Sequence, residues 1–445
     1  MRAKDSMDLL RGDIRPIYFK YLAAASGSAM VASIFGVVDA MMVGQYHGPI
    51  GSAALAVFSP LWSIIFCLGL LAGIGGSVLF AACRGSGREE EAQEYFTLSL
   101  LYGVALSTAA MVVIGVFQEE LFCFFGADEE MLHLAKLYLK PILFAIPCCV
   151  FSNILSAYLR NDGNPDLATA AVLAGGAFNC VGDYVCVFVL DMGIAGAGLA
   201  TAAGQYVGIF VMLFHFFGKK NTLRLVRPTG VLRKLGAITL NGCSTAVTDL
   251  AMGIIGILFN RQIMGHLGSD ALSVYGVLAQ VMPFAQCLAY GAGQAAQPII
   301  SQNYGAGQPD RIRRCLKYGL ATSAVMGVFW TAVMLLFPEQ ILNFFMTPTP
   351  AVAEIAPAIL RIYGVSFLLL PFNVFATYYF QAMMQANLAM TASLARGVVI
   401  SGALILVLPA VAGADSIWYA MLLTELLTAA YSAWHMAKST RRLEV

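Results

Sequence analysis

The chain has 445 residues, of which 59% are hydrophobic and only 11% are charged, and its mean hydropathy is +0.76. Soluble domains carry about 25% charged residues, so a chain this long and this apolar cannot cover itself with a polar surface and must face lipid. The formal net charge of +1 excludes a global basic field for nucleic acid, and the ten cysteines show neither metal-ligand spacing nor a secreted disulfide framework.

A short charged N-terminal tail, unlike a cleaved signal peptide, is followed by long apolar runs along the whole chain. A transmembrane helix needs about 20 mostly apolar residues, and backbone groups in lipid must be hydrogen-bonded within the segment, which favours helices. We therefore predict an all-α integral membrane protein with twelve transmembrane helices. The predicted spans are residues 17–45, 51–83, 95–117, 137–159, 167–189, 194–218, 235–262, 270–300, 315–337, 355–384, 388–410 and 416–437.

The first and fifth spans carry ionisable residues in their apolar interiors. Asp39 lies in the middle of span 1, and Asn179 and Asp183 lie four residues apart in span 5, so the latter two share one helix face. A charge inside a bilayer is costly and marks a candidate functional site. Two carboxylates and an amide oxygen are hard ligands suited to an alkali cation or to a shared proton. These residues are our candidate cation site.

Basic residues alternate between the loops in a way that gives an orientation. Of the 26 Lys and Arg residues, all but five lie on the side that holds both termini. Positive residues stay in the cytoplasm, so we predict two cytoplasmic termini and an even number of spans. The basic residues on this side are Arg2, Lys4, Arg11, Arg15, Lys20, Arg84, Arg88, Arg160, Lys219, Lys220, Arg224, Arg227, Arg233, Lys234, Arg311, Arg313, Arg314, Lys317, Lys438, Arg441 and Arg442.

The second half repeats motifs of the first at a nearly constant offset. GPIGSAAL at 48–55 is similar to GHLGSDAL at 265–272, and two further pairs are also 217 to 222 residues apart. This offset spans six helices, so we predict two parallel six-helix repeats around a binding site. The predicted domains are an N-terminal six-helix lobe at 1–218, a basic cytoplasmic linker at 219–234 and a C-terminal six-helix lobe at 235–445.

Charged residues in the second half do not match the candidate cation site. By the offset, Asp39 falls on Gly256, and the positions that match Asn179 and Asp183 hold Ser401 and Ile405. Asp249 in span 7 and Glu425 in span 12 are candidates for the transport pathway. Three arginines near span ends are expected to extend their charged groups to the membrane surface, namely Arg261, Arg361 and Arg396.

Together these motifs resemble the multidrug and toxic compound extrusion (MATE) family, and more closely its DinF-like prokaryotic branch. The resemblance rests on five motifs: VDAMMVG at 38–44, NCVGDY at 179–184, GIAGAGLAT at 193–201, GAGQAAQP at 291–298 and NYGA at 303–306. The resemblance implies the MATE fold, a pair of pseudo-symmetric six-helix bundles, with a coupling ion in the N-terminal lobe. It adds Thr201 to Asp39, Asn179 and Asp183 as ligands of the ion, which is Na⁺ if the transporter is Na⁺-coupled.

On this basis we expect a secondary active multidrug efflux antiporter that exchanges organic cations or amphipathic drugs for Na⁺ or H⁺ by alternating access. The alternative is a flippase for a lipid-linked cell-envelope precursor, which would need several Lys or Arg residues at the span centres for phosphates. An intramembrane enzyme would need a nucleophile with a base, or metal ligands, and the five scattered histidines supply neither. A channel fits a duplicated chain with a buried ion site less well than alternating access does.

We expect the protein to lie in the inner (cytoplasmic) membrane, to act as a monomer and to have no resident cofactor beyond the coupling ion. Its partners are then small amphipathic or cationic molecules and the lipid bilayer, and not nucleic acid. The sequence leaves open the identity of the substrate and the choice between Na⁺ and H⁺.

Overall fold

The computed structural model describes residues 8–346 and 348–441, and within this part of the chain the fold consists of helices and connecting segments. Three of the basic residues used for orientation, Arg2, Lys4 and Arg442, lie outside the described residues. Among those described, eleven helices are long and apolar enough to cross a membrane. They are α1 Ile14–Gly48, α2 Ile50–Gly85, α3 Glu89–Val116, α4 Glu129–Asn161, α5 Pro165–Val189, α6 Gly193–Phe217, α7 Val231–His266, α8 Gly268–Gly305, α9 Pro309–Leu336, α10 Pro350–Ala382 and α11 Ala386–Ala412.

A twelfth long helix, α12, spans Ala420–Arg441 and corresponds to the span predicted at 416–437. It is less apolar than the others because buried polar residues line it, including Thr424, Glu425, Thr428 and Ser432. Two short helices, Gln118–Phe124 and Pro338–Phe345, follow α3 and α9. The predicted all-α class and twelve-helix architecture are therefore confirmed.

Local sequence explains where several helices begin and bend. Pro165, Pro309 and Pro350 start their helices, where the missing N–H of proline is not needed. Gly48 separates α1 from α2 with φ 67° and ψ −150°, a conformation that only glycine adopts readily. Two π-helical segments widen the helical turn, Tyr184–Val189 at the end of α5 and Ala395–Val399 within α11.

The first compact unit comprises Gly27–Ala246. Its apolar core includes Phe80, Phe96 and Ile154. Helices α5 and α6 approach closely at two glycines, because a Cβ on Gly175 would lie 2.6 Å from the carbonyl oxygen of Gly204. This close approach brings Asn179, one turn after Gly175, within hydrogen-bonding distance of Thr201, about one turn before Gly204.

The second compact unit consists of the described residues through Ser26 and those from Val247 onward. Its core includes Tyr18, Ile299 and Phe375, so the N-terminal turns of α1 belong to it. Arg311 Nη2 also donates to the carbonyl oxygen of Leu9 at 2.9 Å. The two units differ from the lobes predicted at 1–218 and 235–445 in that residues 8–26 join the second unit and residues 235–246 the first.

Candidate cation site

The two predicted carboxylates of the first unit lie beside each other. Asp183 is completely buried on α5, immediately before the π-helical segment, and Asp39 is half-buried on α1. Their carboxyl groups lie close enough for each to act electrostatically on the other. Residues 144 positions apart in the sequence therefore form one acidic site, as predicted from their placement in spans 1 and 5.

Asn179 and Thr201 complete the predicted set. The amide Nδ2 of Asn179 lies 3.3 Å from Asp183 Oδ1 and 3.2 Å from Thr201 Oγ1. Asn179 precedes Asp183 by one helical turn, and the close approach of α5 and α6 places Thr201 opposite it. The structure thus brings all four predicted residues together.

Tyr138 is a fifth member of this site that the sequence analysis missed. Its hydroxyl group donates a 2.8 Å hydrogen bond to Asp39 Oδ2 and lies 3.4 Å from Thr201 Oγ1. Tyr138 is only 4% exposed on α4. A buried tyrosine hydroxyl needs a polar partner, and this requirement is the one signal in the sequence that could have pointed to it.

Two oxygens of the site remain available to a ligand. Asp39 Oδ1 and Asp183 Oδ2 are buried and have no hydrogen-bond partner among the residues described. Buried polar atoms are almost always paired, and carboxylate oxygens can only be paired by a donor or a cation. The two carboxylates and the hydroxyl oxygen of Thr201 are hard ligands that fit a monovalent cation or a proton, whereas Asn179 presents its amide nitrogen to Asp183 and Thr201 and serves as a hydrogen-bond donor. No group of three or more His, Cys, Asp or Glu residues suited to a metal occurs in the described ranges.

Asp249, a pathway candidate in the second unit, has a different environment. It accepts a 2.7 Å hydrogen bond from the hydroxyl of Tyr290, which in turn accepts one from Gln286 Nε2 at 2.9 Å. The site is a single carboxylate with a tyrosine donor, and it contains no second acid within hydrogen-bonding distance among the described residues. Asp249 therefore does not reproduce the paired carboxylates of the first unit.

Glu425, the other pathway candidate, forms a buried ion pair. Arg396 Nε donates to Glu425 Oε1 at 2.8 Å, and Asn373 Nδ2 donates to Oε2 at 2.6 Å. The prediction that Arg396 extends to the membrane surface is wrong, because this residue is only 7% exposed within α11. The carboxylate of Glu425 compensates its charge and makes a buried position tolerable.

A second cluster missed by the sequence analysis holds the linker between the repeats. Asp162, whose side chain is completely buried between α4 and α5, accepts hydrogen bonds from Arg84 Nη1 and His215 Nε2, each at 2.8 Å, and from the backbone N–H and hydroxyl of Thr222. Burial alone raises the pKa of Asp162, but the bonds from His215 and Thr222 and the charge of Arg84 outweigh this and hold the pKa below its ordinary value. The cluster fixes the start of the linker to the first unit.

Comparisons with known proteins agree with this architecture. The model of the family described as MatE matches residues 24–185 and 245–405, one segment in each half. Multidrug export protein MepA of Staphylococcus aureus (strain MRSA252) is 23% identical over 404 residues, which cover 90% of this chain and 88% of that protein. MepA of Staphylococcus saprophyticus subsp. saprophyticus is 24% identical over 419 residues, which cover 92% of each chain.

Solved structures share the fold over the entire chain. A MOP superfamily transporter from Pyrococcus furiosus, described as having a binding pocket of reverse polarity, superposes with a TM-score of 0.92 at 20% identity. A multidrug resistance MATE family transporter in an outward-facing conformation gives the same TM-score and identity. In both cases the match covers 100% of this chain and 100% of the other.

Proposed function

Since this chain belongs to the MatE family of transporters, we propose that it is a secondary active efflux antiporter that exports amphipathic or cationic small molecules in exchange for Na⁺ or H⁺. The observation that carries the proposal is the Asp39–Asp183 pair with its two unpartnered carboxylate oxygens. We further propose that it lies in the cytoplasmic membrane with both termini in the cytoplasm and acts as a monomer. The names of the curated relatives, multidrug export proteins, support the substrate class.

The physical basis of coupling is the charge of the cation site. Two carboxylates held together in a low-dielectric environment repel each other, and a single bound cation removes most of this repulsion. The site draws its side chains from four helices, with Asp39 on α1, Tyr138 on α4, Asp183 on α5 and Thr201 on α6. A cation bound there therefore favours one packing of these helices. It shifts the transport equilibrium by the difference between its affinities for the two conformations.

The π-helical segment next to Asp183 is the part of α5 where we expect the helix packing around the cation site to change. Tyr184–Val189 continues α5 without the regular hydrogen-bond spacing of an α-helix, and such segments often occur at functional sites. We propose that small shifts in the carboxylate are accommodated by this segment and by the following turn, where Asp191 has a positive φ of 53°.

The membrane potential drives export when each cycle moves a net positive charge inward, as when one cation is exchanged for an uncharged drug or two cations for one monovalent organic cation. One positive charge that moves inward across 100 mV provides about 2.3 kcal/mol. At about 1.4 kcal/mol per tenfold change, this corresponds to a drug gradient of about 50-fold for one charge per cycle.

The flippase alternative is less well supported, because it requires free cationic side chains within the spans to bind phosphate. Arg396 is a buried cation within a span, but Glu425 already neutralises it at 2.8 Å. A phosphate ligand would have to displace this carboxylate, which is costly for a buried ion pair. The first-unit site is acidic and repels phosphate.

The test is the efflux of a fluorescent organic cation from proteoliposomes, with a Na⁺ gradient and a pH gradient imposed separately. We expect one of the two gradients to drive efflux in the wild type and neither to do so in Asp39→Asn or Asp183→Asn. Asp270→Asn is the matched control, since it removes one exposed carboxylate at the start of α8 and should leave efflux unchanged. Full gradient-driven efflux by Asp39→Asn would refute the coupling role of this site.

A further inference from the structure

The second compact unit contains a row of buried polar side chains on α12. Glu425, Thr428 and Ser432 follow each other at spacings of three and four residues, so they lie on one face of the helix. Each is at most 1% exposed. A helix inside a membrane protein gains nothing from buried hydroxyl groups unless these find partners, so this face requires an explanation.

Helix α10 presents a matching polar face, and the two helices pack against each other. Asn373, Thr377 and Gln381 are each four residues apart and are at most 8% exposed. Asn373 joins the two faces, since its Nδ2 donates to Glu425 Oε2 at 2.6 Å and to the backbone carbonyl oxygen of the same residue at 2.9 Å. We call these two faces the α10–α12 seam; it comprises Asn373, Thr377, Gln381, Glu425, Thr428 and Ser432.

On Asn373, Thr428 and Ser432 of the α10–α12 seam, one buried atom each lacks a partner among the described residues. Asn373 Oδ1, Thr428 Oγ1 and Ser432 Oγ are buried and make no hydrogen bond to any residue that the structure describes. By contrast, the hydroxyl of Thr424, equally buried on the same helix, donates to the carbonyl oxygen of Ala420 at 2.8 Å. The unpaired hydroxyl groups of Thr428 and Ser432 are therefore not a general feature of the polar residues on α12.

We propose that the α10–α12 seam binds ordered water molecules that pair with Asn373 Oδ1, Thr428 Oγ1 and Ser432 Oγ. Buried water typically makes two to four hydrogen bonds to polar groups that would otherwise be unsatisfied. From Glu425 to Ser432 the seam extends about 10 Å along α12, so the unpaired atoms are spread over about two helical turns. The Arg396–Glu425 ion pair lies at one end of this row.

Replacement of a seam hydroxyl by a methyl group tests the proposal, because Thr→Val preserves shape. If water occupies the seam, Thr428→Val deprives that water of a partner and lowers the apparent melting temperature of the detergent-purified protein. The decrease should exceed that of the control Thr424→Val, whose hydroxyl bonds only to its own helix. If the seam is dry, Thr428→Val removes an unsatisfied polar group and raises the melting temperature. An increase, or a change no larger than that of the control, would overturn the proposal.

X-ray radiolytic labelling provides a second measurement, since side chains beside bound water are oxidised even where bulk solvent does not reach them. Met436 lies one turn after Ser432 on α12 and is 5% exposed. We expect its oxidation to fall in the double variant Thr428→Val/Ser432→Ala and to be unchanged in Thr424→Val. Equal labelling of Met436 in all three proteins would also contradict water in the seam.

Discussion

The buried ion pair between Arg396 and Glu425 allows a quantitative test of whether Glu425 stabilises the fold or takes part in transport. In Arg396→Met, Glu425 would remain buried, since its side chain is 1% exposed, and Asn373 would be its only side-chain donor among the described residues. Loss of one partner from a buried pair costs about 3–5 kcal/mol, since the other charge stays uncompensated. For a unit of about 200 residues we expect the apparent melting temperature to fall by about 10 °C.

The double variant Arg396→Met/Glu425→Gln separates this effect from loss of packing. It removes both charges, while the glutamine carbonyl can still accept the hydrogen bond from Asn373. Replacement of both members of a buried pair by neutral residues is often nearly neutral in free energy. We therefore expect the double variant to recover most of the lost melting temperature in a thermal unfolding assay, and to retain gradient-driven efflux because its cation site is intact.

Two results would refute this reasoning. A double variant as unstable as Arg396→Met would mean that side-chain volume, and not charge compensation, holds α11 and α12 in place. A stable double variant that has lost efflux would indicate that Glu425 takes part in transport, as its position in span 12 suggests.

Three further predictions concern the first unit. Tyr138→Phe removes the 2.8 Å hydrogen bond to Asp39, so the carboxylate should bind the coupling cation more tightly; the cation concentration for half-maximal efflux should fall about tenfold, and an increase would contradict this. Gly48→Ala should lower stability by about 1–3 kcal/mol in thermal unfolding because φ is +67° there, whereas Gly36→Ala, in the same helix and with equally open surroundings, should not. Because the pKa of Asp162 is lowered on folding, its contribution to stability is present above the unfolded value of about 3.9 and is lost as pH falls below it. Thermal unfolding of Asp162→Asn should therefore show lower stability at pH 7 and a weaker dependence on pH below about 4.

Regular patterns made most of the fold predictable from the sequence. Apolar runs of sufficient length locate the helices, and charges that cannot remain in lipid without a function identify Asp39 and Asp183. That Asn179 shares a face with Asp183 follows from their spacing alone. Thr201 could be placed only through the family resemblance, because a single threonine in a helix has no distinguishing pattern.

What the sequence did not reveal depends on contacts between distant segments. Tyr138 belongs to the cation site only because α4 packs beside α1, and no motif around it indicates this. Asp162 lies in a loop, where an acid is ordinarily solvated, and its burial becomes evident only when the linker folds over it. Arg396 was misplaced because the prediction considered its distance from the span end and not the presence of a partner on another helix.

The two units satisfy their buried acids in different ways, and this difference bears on which of them responds to ions. In the second unit, Asp249 receives a tyrosine hydroxyl and Glu425 a guanidinium group, and neither acid has a buried oxygen without a partner in the described chain. In the first unit, Asp39 and Asp183 also receive donors, from Tyr138 and Asn179, but the two acids share one site and each keeps one buried oxygen without a donor among the described residues. A cation adds little to a carboxylate that is already paired, but it relieves both repulsion and desolvation where two carboxylates share a site. The requirement for an ion should therefore follow the unpaired oxygens and not the number of acids in each unit.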